Sequence, residues 1–415
     1  MKKLILALCP VLVLCTVIFV SCSTQNNIPY LDEAQNATIN SAKAIKNTDK
    51  KAFEVNYTAD YKASEFIDTI TKEKITSAYE ARAKMRDIIA PKSKVYPLDR
   101  LSNSTPGCSS VICKNADGQP VIGRNYDLDR NSNALTTVIH TNPCDGYKSV
   151  GVADVGQCGL SFTDLANQNT NKELFLYAPY FTMDGVNETG FACSIMILTE
   201  GANVQDSGKN WLPSTMVVRY LLDHANSVDN AIELLNSCDF RNDYFIEPWL
   251  GDLNFHWALT DKSGNKAVVE YVNGKMNVNK FPLKVKYNET TDDIQIQYPK
   301  QETGYLLSTN FYVTEGFKNT AHDAGKWRYQ TLDELMSKNS TPTKDELKDI
   351  MKSAKYFMND KDFMWELKQE GKDPSKAENW EWETVWTDIL NTEEQTLTFY
   401  LKENYDVENV FSIDY

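Results

Sequence analysis

Apolar residues recur at three- and four-residue steps in several stretches of the chain, which is the spacing of one face of a helix. The first such stretch covers residues 66–89 and stops at Pro91, which cannot continue a helix. Further helices are predicted from the same spacing at four starting points, namely Ser214, Ser227, Lys326 and Thr343. Glu346 lies three residues after Thr343 and completes a capping box.

Three pairs of apolar runs flank short turn sequences and predict β-hairpins. The turns are NADGQ, DKSGN and NTEEQ. The paired strands are 109–114 with 120–128, 256–260 with 266–272, and 384–390 with 396–401. Strands are followed by helices and then by strands again, so the pattern favours α+β layers over a strictly alternating parallel sheet.

The first 22 residues have the pattern of an export signal. A charged start is followed by the apolar run LILALCPVLVLCTVIFV and then by one small residue, Ser21, before Cys22. The stretch FVSC resembles the lipobox of bacterial lipoproteins, with Phe19 where Leu is usual. We therefore expect an exported cell-envelope lipoprotein with lipid on Cys22; ordinary cleavage with secretion, or an uncleaved anchor, is the alternative.

Composition indicates a folded protein and argues against a nucleic-acid partner and a zinc site. At 415 residues with 42% hydrophobic residues, the chain can bury a large core in one large or two medium domains. A net charge of -14 argues against a nucleic-acid partner, because phosphate backbones are bound by clustered Lys and Arg. The cysteines are not spaced as CxxC pairs and only four His occur, so a zinc site is not expected.

The cysteine at position 108 is the main candidate for chemistry. If the chain is cut after Gly107, Cys108 gains an α-amino group, which titrates near neutral pH and can act as a general base. The first hairpin places Cys108 opposite roughly Asn125, so Arg124 and Asp127 lie within two positions of it. Arg124 could favour the thiolate and Asp127 could hold the protonated amine.

An alternative interpretation gives these residues no catalytic role. Cys108 is then a buried strand residue, and Arg124 and Asp127 form an ion pair at the surface. Positions three apart face opposite sides of a regular strand. A bulge or a strand end is therefore expected between Arg124 and Asp127 if both act on Cys108.

The stretch CSSVICKNADGQPVIGRNYDLD resembles the opening of the choloylglycine hydrolase family, in which a Cys begins the mature chain and a G-R-N-x-D motif follows. The spacing from Cys108 to Arg124 and Asp127 matches without a gap. The resemblance implies the αββα four-layer sandwich of N-terminal-nucleophile hydrolases. It also implies autocleavage between Gly107 and Cys108 and hydrolysis of a linear amide without metal or organic cofactor.

Further matches follow in order down the chain. LSTNFY resembles the segment whose Asn donates to the oxyanion, which falls on Asn310, and KWRYQTL resembles a helix start with an active-site Arg, which falls on Arg328. Three more stretches also resemble the family, namely GVNETGFA, HWALTDKSGNKAVVEYVNG and TVWTDILNTEEQTLTFYLKENYD. The substrate class implied is a small-molecule N-acyl amide, such as a conjugated bile salt or an N-acyl lipid amide.

Two features depart from the family pattern. The strand FACSIMIL lacks the polar residue that is usual there, and the first acidic side chain after it is Glu200, a candidate for substrate binding. A long segment precedes Cys108: residues 23–57 are polar and Asn-rich like a tether, and the helical stretch 66–89 follows. This segment, 23–107, resembles the released segment of the acid ceramidase branch, which stays bound beside the substrate pocket, although a discarded spacer fits equally. Residues 108–415 then form the hydrolase domain.

Two other classes of function fit the sequence. One is a non-catalytic lipoprotein that binds a ligand on the same scaffold. The other is an unrelated thiol enzyme that pairs a cysteine with His140, His224, His256 or His322. The sequence leaves a homo-oligomer open.

Overall fold

A computed structural model describes residues 27–49, 51–76, 78–93, 107–129, 134–158, 172–198, 205–241, 254–288, 293–299, 303–319, 325–355 and 382–414. The expected signal segment, Cys22 and Glu200 lie outside these residues. None of the described helices is long and apolar enough to cross a membrane.

The strands and helices are numbered in chain order. The strands are β1 (Lys43–Ala44), β2 (Ala52–Tyr57), β3 (Gly107–Lys114), β4 (Pro120–Asp129), β5 (Thr136–Thr141), β6 (Ser149–Asp154), β7 (Thr182–Asn187), β8 (Phe191–Leu198), β9 (Asn210–Pro213), β10 (Cys238–Arg241), β11 (Asn254–Asp261), β12 (Lys266–Val272), β13 (Lys275–Asn279), β14 (Lys284–Asn288), β15 (Asp293–Gln297), β16 (Tyr305–Ser308), β17 (Trp382–Asn391), β18 (Thr396–Leu401) and β19 (Asn409–Ser412). The helices are α1 (Glu33–Ser41), α2 (Ala63–Glu73), α3 (Ala78–Ile89), α4 (Val217–His224), α5 (Val228–Asn236), α6 (Lys326–Lys338) and α7 (Lys344–Ser353).

Two large sheets carry the site. The first has nine strands in the order β1-β2-β5-β6-β7-β8-β11-β12-β13, and the second has six in the order β16-β3-β4-β17-β18-β19. The three predicted hairpins are confirmed as β3–β4, β11–β12 and β17–β18, each antiparallel. The four later helices are also confirmed, including the capping box at Thr343.

The two sheets pack face to face, with β3 and β4 against β8 and β11. Helix α4 covers the outer face of the nine-stranded sheet at β7 and β8, and helices α6 and α7 cover the outer face of the six-stranded sheet at β3, β4, β16 and β17. Every residue of β8 is buried, as expected for a strand covered on both faces. This order of layers confirms the αββα sandwich.

The region before Cys108 differs from the expected tether. The polar stretch up to residue 57 contains helix α1 and strands β1 and β2, and β2 pairs in parallel with β5, so it extends the nine-stranded sheet. The single helix expected over 66–89 is two helices, because Lys74 adopts a left-handed conformation that ends α2. Non-local strand pairing therefore overrides the polar composition of this stretch.

Buried tyrosines also join this N-terminal segment, residues 27–93, to the rest of the fold. The Tyr57 hydroxyl donates to the Leu176 carbonyl oxygen at 2.6 Å, and the Tyr61 hydroxyl donates to Asp223 Oδ1 at 2.7 Å. The Tyr180 hydroxyl donates back to the Tyr61 carbonyl oxygen at 2.7 Å. The described part of the N-terminal segment is thus built into the core rather than set apart from it.

Candidate active site

The register of the first hairpin places the cysteine. Gly107 is the first residue of β3 and pairs with Asp127, and Cys108 pairs with Tyr126, one residue beyond the expected Asn125. The difference arises in the turn, where five residues separate Lys114 from Pro120 and Gly118 takes a positive φ of 80°. Cys108 is buried, with 2% of its surface exposed.

Arg124 lies on the same face of the hairpin as the Cys108 side chain. Its Nη2 is 3.4 Å from Cys108 Sγ and donates to the Ile195 carbonyl oxygen at 2.9 Å. Its Nη1 is 2.9 Å from Asp184 Oδ2. The guanidinium also lies over the Tyr126 ring, 4.6 Å from its centroid. A buried, fixed positive charge therefore faces the thiol.

Asp127 lies on the opposite face of the hairpin. Its Oδ2 is 2.9 Å from Arg328 Nη1, and its Oδ1 accepts from Thr384 Oγ1 at 2.7 Å. Strand β4 has no bulge between Arg124 and Asp127, since β3 and β4 pair regularly here, and β4 continues to Asp129. The bulge or strand end predicted between Arg124 and Asp127 is therefore not found in β4; a register shift occurs instead in the neighbouring strand β17, between Thr384 and Trp386.

The main chain of Cys108 is held by the two residues expected from later in the sequence. Cys108 N donates to Asn310 Oδ1 at 3.0 Å, and Arg328 Nη1 donates to the Cys108 carbonyl oxygen at 2.7 Å. Arg328 Nη2 also donates to Asn310 Oδ1, at 2.6 Å. The structure thus brings Cys108, Arg124, Asp127, Asn310 and Arg328 together, with Arg124 at the thiol and the other three around the main chain.

Burial has the largest effect on the pKa of the Cys108 thiol. Burial raises the pKa of Cys108, the charge of Arg124 opposes this increase, and the charge of Asp127 adds to it. In the uncut chain the thiol is therefore held in its protonated form. A base must reach it before it can attack an amide.

The strand FACSIMIL supplies main-chain atoms to the site. The carbonyl oxygen of Ile195 accepts from Arg124, and that of Ile197 accepts from Asn310 Nδ2 at 2.8 Å. Strand β8 therefore contacts the site residues through two carbonyl oxygens, and no Asn, Tyr or Glu side chain of Phe191–Leu198 takes the expected place. Glu200 follows β8 and lies outside the described residues, so its role stays a prediction.

Two buried acids beside Arg124 were not expected from the sequence. Asp184 pairs with Arg124, and Asp388 in β17 lies directly opposite Arg124 in β4. Trp386 Nε1 donates to Asp184 Oδ2 at 3.2 Å. A single acidic residue inside an apolar strand, as in FTMDGV and VWTDIL, is the sequence feature that could have indicated them.

Burial and the charge of Asp184 raise the pKa of Asp388 well above its usual range, so Asp388 keeps its proton to a higher pH in the folded protein than in the unfolded chain. In the unfolded chain it ionises at an ordinary pKa of about 3.9. Its contribution to stability is complete below that value and is lost as pH rises toward the folded-state pKa.

We therefore expect Asp388→Asn to gain stability relative to the wild type as pH rises above about 4, by about 1.4 kcal/mol per pH unit until the folded-state pKa is reached. Urea unfolding of both proteins at pH 4.5, 5.5 and 6.5 measures this difference. Free energies of unfolding that run parallel across these pH values would contradict a raised pKa of Asp388.

The described histidines are engaged with other partners. His140 Nε2 is 3.1 Å from Glu54 Oε1, and the two ring nitrogens of His256 face Glu270 and the main chain. His224 packs edge-on against the Tyr220 ring. His322 lies outside the described residues. The group observed at the Cys108 thiol is a guanidinium, which favours the hydrolase over a Cys–His enzyme.

Comparison with known proteins gives a consistent result. Residues 108–309 match the model of the linear amide C-N hydrolases, choloylglycine hydrolase family. A bile salt hydrolase/transferase of Clostridium perfringens is 24% identical over 200 residues, covering 48% of this chain and 58% of the relative. A penicillin V acylase of Pectobacterium atrosepticum is 30% identical over 120 residues, covering 28% of this chain and 32% of the relative. The matched stretches thus span less than two thirds of either relative.

Solved structures of similar proteins were also found. A variant of the conjugated bile acid hydrolase from Clostridium perfringens has a TM-score of 0.46 at 16% identity, covering 74% of this chain and 93% of that chain. The penicillin V acylase from Agrobacterium tumefaciens has a TM-score of 0.40 at 16% identity, covering 73% of this chain and 85% of that chain.

Proposed function

Because this chain, through residues 108–309, belongs to the choloylglycine hydrolase family of linear amide C-N hydrolases, we propose that it hydrolyses a linear amide with Cys108 as nucleophile. One observation carries the proposal. The thiol of Cys108 faces Arg124 at 3.4 Å while its main-chain nitrogen is held by Asn310 at 3.0 Å, so one residue presents a nucleophile and a potential amine in fixed positions.

Maturation begins at the bond between Gly107 and Cys108. Cys108 Sγ attacks the Gly107 carbonyl carbon, a C–S bond forms, and the C–N bond breaks as the proton that leaves Sγ passes to the nitrogen. Water then hydrolyses the thioester, which frees the carboxylate of Gly107 and regenerates the thiol. Gly107 places no side chain beside its own carbonyl, which leaves this carbon open to attack.

Turnover uses the amine that this cut releases. An α-amine has an ordinary pKa of about 7.7 to 8.0, so a useful fraction is neutral near pH 7 and can accept the thiol proton. Asn310 Oδ1, which accepts from this nitrogen in the uncut chain, keeps the amine oriented. Arg124 stabilises the thiolate by its charge.

The thiolate attacks the substrate carbonyl, and the oxyanion is stabilised by the second hydrogen of Asn310 Nδ2, whose first hydrogen is bound by the Ile197 carbonyl oxygen. The α-ammonium returns its proton to the leaving amine, and water releases the acyl group from Cys108. Arg328 neutralises Asp127 and holds the Cys108 carbonyl oxygen, so both act on the orientation of the main chain.

We further propose an N-acyl substrate with a bulky apolar acyl group, such as a conjugated bile salt or an N-acyl lipid amide. The names of the matched relatives, a bile salt hydrolase/transferase and a penicillin V acylase, support this class. The apolar export sequence and Cys22 support the location of the enzyme at the cell envelope, held to the membrane by lipid.

The N-terminal segment stays with the hydrolase domain after the cut. Strand β2 is hydrogen-bonded to β5 along its whole length, and Tyr57 and Tyr61 are both buried against the domain. Tyr30 and Ser93, near the two ends of the segment, both donate to the carboxylate of Glu173. Separation would expose the edge of β5 and would leave the Glu173 carboxylate without these two donors.

The test is native gel filtration of the purified chain, followed by denaturing mass analysis of the peak and assay of amine release. The substrates are a glycine-conjugated bile salt, an N-acylethanolamine and phenoxymethyl penicillin. We expect two fragments that meet at residues 107 and 108 to elute in one peak, and that peak to release amine from at least one substrate. Two fragments in separate peaks would contradict the retained segment, and a cleaved complex inert toward all three amides would contradict the substrate class.

A further inference from the structure

A buried histidine–glutamate pair lies next to the loop that carries Asn310. His256 in β11 and Glu270 in β12 are direct cross-strand partners, and neither side chain is exposed. His256 Nδ1 is 3.2 Å from Glu270 Oε2, and His256 Nε2 is 2.7 Å from the Thr309 carbonyl oxygen. The pair therefore binds the residue that directly precedes Asn310.

Glu270 binds the same loop on the other side of Asn310. Its Oε2 accepts from Val313 N at 3.2 Å, and its Oε1 accepts from Thr314 N at 2.5 Å. The loop between β16 and α6 is thus fixed to the nine-stranded sheet at three main-chain atoms that enclose Asn310. A carboxylate that accepts two backbone N–H groups and faces an imidazole is a satisfied buried group rather than a strained one.

The chemistry of the contacts fixes where protons must lie. A carbonyl oxygen only accepts, so His256 Nε2 carries a hydrogen. Glu270 Oε2 lies 3.2 Å from His256 Nδ1, and two lone pairs would repel each other at this distance, so one hydrogen lies between these two atoms. The two side chains then form one unit without net charge, which a closely packed interior tolerates.

Asn310 needs such support because it has several partners at once. Its Oδ1 accepts from Cys108 N and Arg328 Nη2, and its Nδ2 donates to the Ile197 carbonyl oxygen. These contacts connect the two facing sheets, and a shift of the loop would disturb all of them. We propose that His256 and Glu270 are positioning residues that hold Asn310 against the Cys108 nitrogen.

This inference rests on the proposed function, in which Asn310 orients the α-amine and binds the oxyanion. Misplacing a catalytic group by about 1 Å costs on the order of 100-fold in rate. Loss of the pair should therefore lower kcat and slow the cut after Gly107. It should leave KM close to the wild-type value, because neither side chain is placed to bind substrate.

The experiment compares Glu270→Gln, His256→Gln and His256→Leu with a matched control, His140→Gln. His140 is also a buried sheet histidine that contacts a carboxylate, Glu54, but it lies in β5, away from the Asn310 loop. We expect kcat to fall about 10- to 100-fold in the first three variants with KM changed less than about threefold. The fall in kcat should be largest in His256→Leu, since the amide N–H groups of Gln can still donate to the Thr309 carbonyl oxygen and Leu has no donor. His140→Gln should match the wild type.

A second measurement does not depend on activity. We expect the chain to stay uncut in the Cys108→Ala background, so hydrogen exchange can be measured at three backbone amides. The amide of residue 108 donates to Asn310, and those of Val313 and Thr314 donate to Glu270. Adding Glu270→Gln or His256→Gln should accelerate exchange at all three amides by about tenfold or more, and adding His140→Gln should not.

Wild-type kcat in His256→Leu and Glu270→Gln, unchanged exchange in the Asn310 loop, or an equal loss in His140→Gln would overturn the positioning role. If the wild type itself releases no amine from any amide, the proposed function fails, and the exchange measurement alone still decides whether the pair holds Asn310.

Discussion

A chain that carries Cys108→Ala is expected to remain uncut and to release no amine from an amide. In the proposed function this sulfur attacks the Gly107 carbonyl in maturation and the substrate carbonyl in turnover, so its removal should stop both steps together. Intact mass under denaturing conditions reports the cut, and amine release reports turnover. Turnover should fall by at least about 10³-fold, to background.

The matched control is Cys113→Ala. Cys113 is a buried free thiol five residues along the same strand, and burial raises its pKa to about 12. It pairs with Val121 and Tyr305 rather than with the groups of the site. Cys113→Ala should be cut and should turn over substrate like the wild type. A cut and active Cys108→Ala protein would contradict the assignment of the nucleophile.

The second large effect is expected at Arg124. Arg124→Met keeps most of the side-chain volume but leaves Asp184 buried without its partner, which costs about 3–5 kcal/mol in the free energy of unfolding. The thiol also loses the positive charge that opposes the effect of burial on its pKa. We expect a fall in amine release of about 100-fold or more, together with reduced stability in urea.

The double variant Arg124→Met, Asp184→Asn separates these two losses. Removing both charges leaves no unpaired ion in the core, so the free energy of unfolding should return to within about 1–2 kcal/mol of the wild type. Activity should stay as low as in Arg124→Met, because the thiolate still lacks its cation. Recovery of activity along with stability would contradict a direct role for Arg124 at the thiol.

Local patterns predicted the part of the site that lies on one hairpin. The spacing of Cys108, Arg124 and Asp127 around an Asp-Gly turn is enough to bring these residues together. The predicted register is wrong by one residue because the turn is centred on Asp117 rather than between Ala116 and Asp117. Asn310 and Arg328 could be expected only through the family resemblance, since more than 180 residues separate them from the first hairpin. The sequence patterns around Asn310 and Arg328 do not indicate that these residues contact Cys108.

The remaining features depend on contacts that sequence patterns do not record. Strand β2 is polar enough to resemble a tether, and its place in the sheet is fixed by parallel pairing with β5, about 80 residues away. Asp388 and Asp184 belong to different sheets and meet only when the sheets pack. The carbonyl oxygens of Ile195 and Ile197 reach the site through the backbone, so no side-chain motif in FACSIMIL could reveal them.

The N-terminal sequence and intact mass of the purified, folded wild-type protein show directly whether the chain is cut before Cys108. We predict a fragment that begins with CSSVICKN, so that Cys108 is its first residue and carries a free α-amine. A folded wild-type protein in which residues 107 and 108 remain joined in one continuous chain, with no fragment beginning at Cys108, would contradict it.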